Sequence, residues 1–448
     1  MSTLSVRNIM TPDGSPVSFP NGIRIGAGMG AGTINSIGTP GQLGFGLGIA
    51  PELPAGFAEL SGTKDPASEN YGNYVYSDGS VMVYVPAFFY KIGTGGNGLP
   101  INQVDVKSFG AYTSVAEAGA AGWALHRAFY NGGSIRPGVF VDKYLTSNNA
   151  GVASSIKHGI PLSSAQRGSL SSAVFSALNG APANNYGGAL AAAKTRGSRF
   201  FCNTRFIFAA LALLSVAHGQ ASTSTAFNAW YSSGSTNFPK GCNNNALGDA
   251  NDTAIAYVSD GNGTYNCGLT GSANFFARTT HNGQACGVAD LNGLLWEVNT
   301  GLTSDGTNYY LLKTAADAGA ITGGNTLATD GWGAAGIAAL YDSLGTTYES
   351  MTASNSIKYF GSASQVLSEA TSGNAWAVSG AGVPLLAGTG GSNLFGNDGM
   401  WDYRPNELCV ISGGTWDNGS NAGVWALGLD AVRGNSFHHI GFRAASFL

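Results

Sequence analysis

Residues Ser412 to Ala445 read SGGTWDNGSNAGVWALGLDAVRGNSFHHIGFRAA, and this stretch has the most informative pattern in the chain. Glycines, tryptophans and aliphatic residues recur in it, as expected of a structural frame. Between them lie positions with no shared chemistry: Thr415, Asp417, Gly428, Asp430, Ala431, Val432, Phe437, His438 and His439. A glycine, acids, aliphatic side chains and imidazoles have no common catalytic role. The stretch therefore favours recognition over catalysis.

Composition limits the classes of protein to consider. The chain has 448 residues, of which 68 are glycine and only 10% are charged, against about 25% charged residues in ordinary globular proteins. Its 44% hydrophobic content is sufficient for a folded core. The formal net charge is −4 and no Lys/Arg-rich run occurs, so we expect no nucleic-acid partner.

Neither membrane insertion nor a disulfide framework is expected. The longest apolar run, Phe206 to Val216, is shorter than the roughly 20 residues needed to cross a bilayer. The first fourteen residues lack the charged and apolar regions of a secretory signal. The cysteines are odd in number and form no C-x-x-C pair, so we expect reduced thiols rather than disulfides or a zinc site. They are Cys202, Cys242, Cys267, Cys286 and Cys409.

Hydrophobic patterning predicts both strands and helices. We expect strands at Val81–Ile92, Val139–Val141 and Leu294–Trp296, where β-branched, aromatic or aliphatic residues follow turn signals. We expect helices at Ser114–Ala121, Ser163–Asn179 and Phe206–Val216. The second of these carries Leu170, Val174 and Leu178 at helical spacing. For the third, Asn203 or Thr204 is the expected N-cap, and His218 is expected to interact with the last carbonyls.

The chain divides into a main domain, an N-terminal segment and an insertion. Residues 1–45 are rich in glycine and poor in apolar residues, so we interpret them as an attachment or oligomerisation segment. Residues 46–448 form the main domain. An insertion rich in Gly, Ala, Ser and Thr, at about 303–395, is expected to be ordered and partly exposed.

A calcium site is one interpretation of a loop-rich region, and a set of turns is the other. Hard oxygen donors occur at Asp249, Asn251, Asp252 and Asp260, and calcium prefers such ligands. Their spacing does not match an EF-hand loop. Because Asn, Asp and Gly clusters usually form turns, we favour the turns and expect no cofactor.

Several of these segments together resemble a known family. VMVYVPAFFYKI, GVFVDKY, the helix before His218-Gly219, DLNGLLWEV and the C-terminal stretch follow one another in the order of the C-type-lectin-like fold. The version they resemble is that of the formylglycine-generating enzymes. The C-terminal stretch resembles the variable region of diversity-generating retroelement target proteins, in particular phage tail receptor-binding proteins. The resemblance covers residues 80–302 and 396–448 and implies an α+β, C-type-lectin-like domain with large loop insertions.

In that family the asparagine codons AAC and AAT are diversified, which allows a test within the sequence. Changes at their first two bases reach Thr, Asp, Gly, Ala, Val, Phe, His and Ser, but not Trp, Met, Lys, Glu or Gln. All nine chemically unrelated positions belong to the reachable set. Asn421 and Asn435 are expected to be unmutated positions of the same ligand-binding surface. Trp416 and Trp425 cannot arise in this way and join the frame, and Arg443 is expected to be a structural hydrogen-bonding residue.

The resemblance also implies a location and partners. We expect a protein of the virion, at a phage tail, or otherwise exposed at a cell surface. Its expected partners are a host cell-surface receptor, protein or glycan, and other tail or fibre proteins, and its expected assembly is a homotrimer. No enzymatic activity is expected.

Three other functions remain open. A formylglycine-generating type of enzyme needs a reactive cysteine pair late in the chain, where Cys409 stands alone. The imidazoles of His438 and His439 are expected to point to opposite faces of a strand, which disfavours a joint catalytic role. A calcium-dependent sugar lectin would carry a Glu-Pro-Asn or Gln-Pro-Asp signature, which is absent. An invariant structural tail protein is the third alternative.

Overall fold

The computed structural model describes residues 34–222, 256–272, 279–321, 339–345, 356–360, 365–385, 395 and 398–448. Within these residues the chain is α+β, with many short strands and few helices, which confirms the predicted class. The α-helices are α1 (Val115–Ala120), α2 (Asn185–Lys194), α3 (Arg205–Ala221) and α4 (Gly373–Gly380).

The strands are numbered in chain order. Up to α3 they are β1 (Phe57–Glu59), β2 (Asn73–Tyr76), β3 (Val81–Pro86), β4 (Phe88–Ile92), β5 (Val104–Ser108), β6 (Ala124–Leu125), β7 (Tyr130–Asn131), β8 (Ser134–Ile135), β9 (Gly138–Asp142), β10 (Thr146–Asn149), β11 (Val152–Ser155) and β12 (Phe201–Cys202). After α3 they are β13 (Tyr257–Val258), β14 (Cys267–Gly268), β15 (Trp296–Val298), β16 (Leu302–Ser304), β17 (Tyr309–Leu312), β18 (Tyr341–Gly345), β19 (Ser356–Tyr359), β20 (Gly399–Asp402), β21 (Ile411–Ser412), β22 (Leu427–Gly428), β23 (Ile440–Gly441) and β24 (Ala444–Phe447).

Two six-stranded sheets carry the architecture. The first has the order β1-β2-β3-β9-β24-β12, and its strand pairs are antiparallel. The second has the order β19-β20-β22-β21-β15-β23, with parallel pairs at β20/β22 and β15/β23. A large apolar core includes buried residues from strands of both sheets and from α3. The last residues of the chain tie the sheets together, since β23 belongs to the second and β24 to the first.

The predicted strand Val81–Ile92 is two strands. The chain leaves the first sheet after Pro86, and Phe88–Ile92 pairs with β5 and β6 in a separate three-stranded sheet. Proline has no N–H to donate to a neighbouring strand, so the ladder weakens where Pro86 stands. Val139–Val141 is confirmed as the middle of β9, and the strand predicted at Leu294–Trp296 lies slightly later, as β15.

Among the helix predictions, Ser163–Asn179 is wrong. That segment contains only a short 3-10 turn, Phe175–Ala177, and Gly168 has a positive φ of 47°. Serines are frequent in it and compete for backbone hydrogen bonds, which favours turns over helix. The prediction of Ser114–Ala121 is confirmed by α1, where the Ser114 side chain accepts from Glu117 N.

The long apolar helix is confirmed. It runs as α3, and the Thr204 side chain caps it by accepting a hydrogen bond from Ile207 N at 3.2 Å. The expectation for His218 is wrong in one respect. Its Nδ1 accepts a hydrogen bond from Gly41 N at 3.2 Å and its ring stacks on Phe45, so it holds an earlier segment rather than the helix carbonyls.

The N-terminal segment and the insertion both contribute to the main core where they are described. Ile37 and Phe45 are fully buried in it, so the residues just before the predicted boundary at 45 belong to the packed domain. Residues 1–33 lie outside the described residues. In the insertion, β17 and β18 extend β16 into a sheet, and β19 forms the edge of the second six-stranded sheet.

Candidate ligand-binding surface

The frame of the C-terminal stretch is buried. Trp416 and Trp425 are almost fully buried, Trp416 beside Leu294 and Leu295 in a small satellite core. Trp425 N donates to the Asp398 carboxylate at 2.8 Å. A Cβ added at Gly423 would lie 1.9 Å from the same carboxylate. These contacts agree with the assignment of both tryptophans and of this glycine to the frame.

Arg443 makes structural hydrogen bonds, as expected from the sequence. Its Nε and Nη2 each lie 2.6 Å from the Glu297 carboxylate, and both side chains are buried. Nη1 donates to Asp142 O at 3.0 Å and Nη2 to Ala289 O at 2.9 Å. Glu297 lies on β15 and Asp142 on β9, so one guanidinium joins the two large sheets.

Three of the predicted contact positions are buried. Thr415 and Ala431 are at most 6% exposed. Gly428 lies in β22, where an added Cβ would meet Ile411 Cγ1 at 2.5 Å. Side chains at these positions are in contact with the frame, and a ligand would not reach them without a rearrangement. Thr415, Gly428 and Ala431 therefore do not belong to the exposed surface.

The other eight predicted positions are at least partly exposed: Asp417, Asn421, Asp430, Val432, Asn435, Phe437, His438 and His439. We call them the exposed set. Strand register divides them between the two ends of the second sheet. Trp296 pairs with Ile440, Glu297 pairs with Ser412, and Ser412 pairs with Leu427. The first residues of β15, β22 and β23 therefore lie at the same end of the sheet.

One group lies near that shared end, and we call it the His438 group. Its members are Asp417, Asn421, Phe437, His438 and His439. Asp430 and Val432 follow β22 at the opposite end, and Asn435 lies in the segment between. Strands of two to four residues, at about 3.3 Å per residue, separate the two ends by only about 10 Å.

The backbone beneath the exposed set is held by hydrogen bonds from other elements. Ser164 Oγ accepts from Phe437 N at 2.8 Å and lies 2.6 Å from Asn185 Oδ1. At the start of α2, Asn185 N donates to Asn435 O at 2.7 Å and Tyr186 N to Arg433 O. The first N–H groups of a helix have no partner within the helix, so these loop carbonyls satisfy them. The backbone is thus fixed independently of the exposed side chains.

An aromatic residue outside the C-terminal stretch joins this surface. The ring of Tyr265 stacks on His438 with centroids 3.8 Å apart. The buried ring of Trp416 also lies near this imidazole, at 6.0 Å between centroids. Sequence reasoning did not find Tyr265, which lies far from His438 along the chain in a loop rich in Asn, Asp and Gly. No local signal distinguishes it from other tyrosines.

The two histidines do not point to opposite faces, so that expectation is wrong. They lie in a turn before β23 rather than within a strand, and His439 Nδ1 is 3.4 Å from His438 Nε2. Burial lowers the pKa of His438, against the opposing charge of Asp417. Burial, followed by the neighbouring His438, lowers the pKa of His439 to about 4. Both imidazoles are therefore neutral at neutral pH.

The candidate calcium ligand that the structure describes belongs to a turn. Burial by itself would raise the pKa of the Asp260 carboxyl, but backbone N–H groups of Asn262, Gly263, Thr264 and Tyr265 donate to it and lower that pKa. Asp249, Asn251 and Asp252 lie outside the described residues. Among the residues that are described, no group of three or more His, Cys, Asp or Glu side chains is arranged to hold a metal ion.

The cysteines that the structure describes are reduced and buried. Cys202, Cys267, Cys286 and Cys409 take part in no disulfide, and Cys242 lies outside the described residues. Burial raises the pKa of the Cys202 thiol well above its ordinary value, and the nearby Cys409 and Glu297 raise it further. A thiol of this kind has little thiolate character at neutral pH and is a poor nucleophile.

No helix in the described part of the chain is both long and apolar enough to cross a bilayer. Comparison with models of known protein families gives no match, and neither does a search of curated protein sequences.

Proposed function

We propose that this chain is a host-recognition protein of a phage tail, and that the exposed set is its receptor-binding surface. In this proposal the surface is diversified by a retroelement, the receptor is a host cell-surface protein or glycan, and the chain acts as a homotrimer with other tail or fibre proteins. It has no catalytic role.

One observation supports the proposal most strongly. The backbone of residues 432–440 is anchored by Ser164, Asn185 and Tyr186, while most side chains of the segment reach the surface. Replacement of an exposed side chain usually changes stability by no more than about 0.5 kcal/mol. A surface built in this way accepts many sequences without loss of the fold, which a diversified receptor-binding site requires.

The topology supports the finer fold assignment. We propose a C-type-lectin-like domain of the formylglycine-generating-enzyme type. Its C-terminal strand β24 pairs with β9 beside the early strand β3, and the C-terminal stretch supplies β21, β22 and β23 to a second sheet.

The chemistry of the described residues gives an enzyme little support. The cysteines are buried, and the pKa of Cys202 is raised rather than lowered. The lowered pKa values of His438 and His439 keep both rings neutral, and no carboxylate among the described residues hydrogen-bonds to either ring. Neither Cys202 nor the pair of histidines therefore provides a positioned acid and base for one reaction.

The proposal is tested by separating binding from stability. A variant with Asp430→Ser, His438→Ser and His439→Ser should bind intact cells of candidate bacterial hosts differently from the wild type, with a nearly unchanged melting temperature. Trp416→Ala should lower the unfolding free energy by about 3–5 kcal/mol, because it empties a buried indole site.

A matched control replaces an acid and an imidazole elsewhere on the surface. Glu52 and His158 are exposed and lie outside the C-terminal stretch, so Glu52→Ser with His158→Asn should leave cell binding unchanged. Equal loss of stability in the triple variant and in Trp416→Ala would contradict the proposal. Unaltered cell binding by the triple variant would contradict it as well.

A further inference from the structure

The imidazoles of His438 and His439 converge at the surface. His438 Nε2 and His439 Nδ1 are 3.4 Å apart, and the two rings are nearly perpendicular, at 87°. Both residues are partly exposed. The two nitrogens thus lie close together in a partly exposed turn.

A neighbouring aromatic ring stacks on each imidazole. His438 lies against Tyr265, with an interplanar angle of 29°, and His439 stacks on Phe437 at 5.3 Å between centroids. The backbone is held as well, because Trp296 N donates to His439 O at 3.0 Å. Stacking covers the faces of the rings and leaves nitrogen lone pairs, which lie in the ring plane, able to act as donors to a metal.

The separation of the nitrogens matches a tetrahedral metal site. Bonds of about 2.0–2.1 Å from zinc to imidazole nitrogen, at a tetrahedral angle, place two ligand nitrogens about 3.3 Å apart. Neutral imidazole is the form that binds a metal. The observed separation of 3.4 Å between the two nitrogens therefore suits coordination of one ion by both rings.

We propose that His438 Nε2 and His439 Nδ1 chelate one divalent transition-metal ion of the zinc class. Each neutral imidazole carries one N–H proton, and this proton must be on the nitrogen that does not bind the metal. Chelation therefore requires the proton of His438 on Nδ1 and the proton of His439 on Nε2. The ring that donates the hydrogen bond in the metal-free pair changes tautomer, without net release of a proton. Since no third His, Cys, Asp or Glu among the described residues completes the site, the other coordination positions are open to water or to a donor group of a bound molecule.

The test uses the full chain, purified without a histidine tag, and zinc chloride as the only ligand. Isothermal titration should give one zinc ion per chain. His438→Gln and His439→Gln should each weaken binding by more than about tenfold, because each removes one of two ligands. His158→Asn, which removes an exposed imidazole outside the pair, should bind zinc like the wild type. The proposal does not depend on receptor binding, since no receptor is present in the experiment.

Three outcomes would overturn the proposal: no zinc binding by the wild type, unchanged binding in both glutamine variants, or a loss in only one of them. Melting temperatures of the variants show whether each is folded. If either variant does not fold, the wild-type chain labelled with ¹⁵N at histidine replaces it. Addition of zinc must then shift the ring nitrogens of two residues together, and an unshifted spectrum would overturn the proposal.

Discussion

At the scale of single residues, burial separates contact positions from frame positions more sharply than residue type does. Gly428 and Ala431 have the same small, chemically neutral character as many variable positions, yet both are buried. Asp417 and Asp430 are exposed. Whether a residue can arise from an AAC or AAT codon depends only on its type. This criterion therefore selected buried and exposed positions alike.

Gly428 gives a direct test of this distinction. Gly428→Ala should lower the unfolding free energy by about 1–3 kcal/mol, because the new Cβ overlaps Ile411 in the adjacent strand. Gly434→Ala is the matched control, since a Cβ at Gly434 meets no atom within 4 Å. Urea denaturation of both variants measures the difference. A Gly428→Ala variant as stable as the control would contradict the assignment of Gly428 to the buried frame.

A buried histidine provides a second test, by pH. Burial, followed by the charge of Arg127, lowers the pKa of His126 from 6.5 to about 3. The folded protein keeps this ring neutral, while the unfolded chain protonates it below pH 6.5. The contribution to stability is therefore complete above pH 6.5 and is lost as pH falls towards 3, at up to about 1.4 kcal/mol per pH unit.

The His126→Asn variant isolates this contribution, because the amide oxygen can replace Nδ1 as the acceptor for Ala128 N. Between pH 6.5 and 4, chemical denaturation should show a smaller loss of unfolding free energy in the variant than in the wild type. Parallel pH profiles of the two proteins would be inconsistent with a neutral buried imidazole.

At the scale of elements, the turn from Arg433 to His439 depends on its neighbours for its shape. Its carbonyls satisfy the first N–H groups of α2, and Ser164 supports Phe437. The segment thus takes its conformation from contacts with α2 and with the loop before it, to which its own buried Arg433 side chain adds a contact with the Tyr186 ring.

Ser164→Ala tests this dependence. Removal of the hydroxyl leaves Phe437 N without its acceptor, at a cost of about 1–3 kcal/mol. Amide hydrogen exchange at Phe437, His438 and His439 should become faster, while exchange within α3 stays slow. Ser171→Ala, at an exposed serine, is the control and should leave exchange unchanged. If the Phe437 amide still exchanges slowly in Ser164→Ala, the conformation of the turn does not depend on Ser164.

Local signals explain which elements could be predicted from the sequence. The Thr204 cap and the apolar run after it define α3 without reference to the rest of the chain. The helix predicted at 163–179 failed because its spacing of apolar residues outweighed its serines and Gly168. The exclusion of Gly428 and the inclusion of Tyr265 both depend on partners that are distant in sequence, Ile411 and His438. No periodicity within either segment contains that information.

At the scale of the whole molecule, the C-terminal stretch lies where the two large sheets meet. It supplies β21, β22 and β23 to one sheet and continues into β24 of the other. Arg443 hydrogen-bonds to residues of both. Residues of both large sheets therefore support the surface carried on this junction.

Removal of the charge opposite Arg443 should therefore be costly. Glu297→Gln leaves a buried guanidinium without the carboxylate to which it donates two hydrogen bonds, and loss of such a partner typically costs about 3–5 kcal/mol. Glu59→Gln is the matched control, because Glu59 pairs with Lys64 at an exposed site, and such pairs contribute about 0–1 kcal/mol. Thermal unfolding should distinguish the two variants clearly. Similar melting temperatures would mean that this ion pair does not secure the junction.

Sequencing of the 3′ coding region and its flanking DNA in sibling isolates shows whether a fixed frame lies beneath a diversified surface. We predict substitutions concentrated at the exposed set, drawn from residues reachable from AAC and AAT, with Trp416, Trp425 and Arg443 unchanged. We also predict a near-copy of the 3′ coding sequence and a reverse transcriptase gene nearby. Identical residues at 415–439 in all isolates, or substitutions spread evenly over frame and surface, would contradict the proposal.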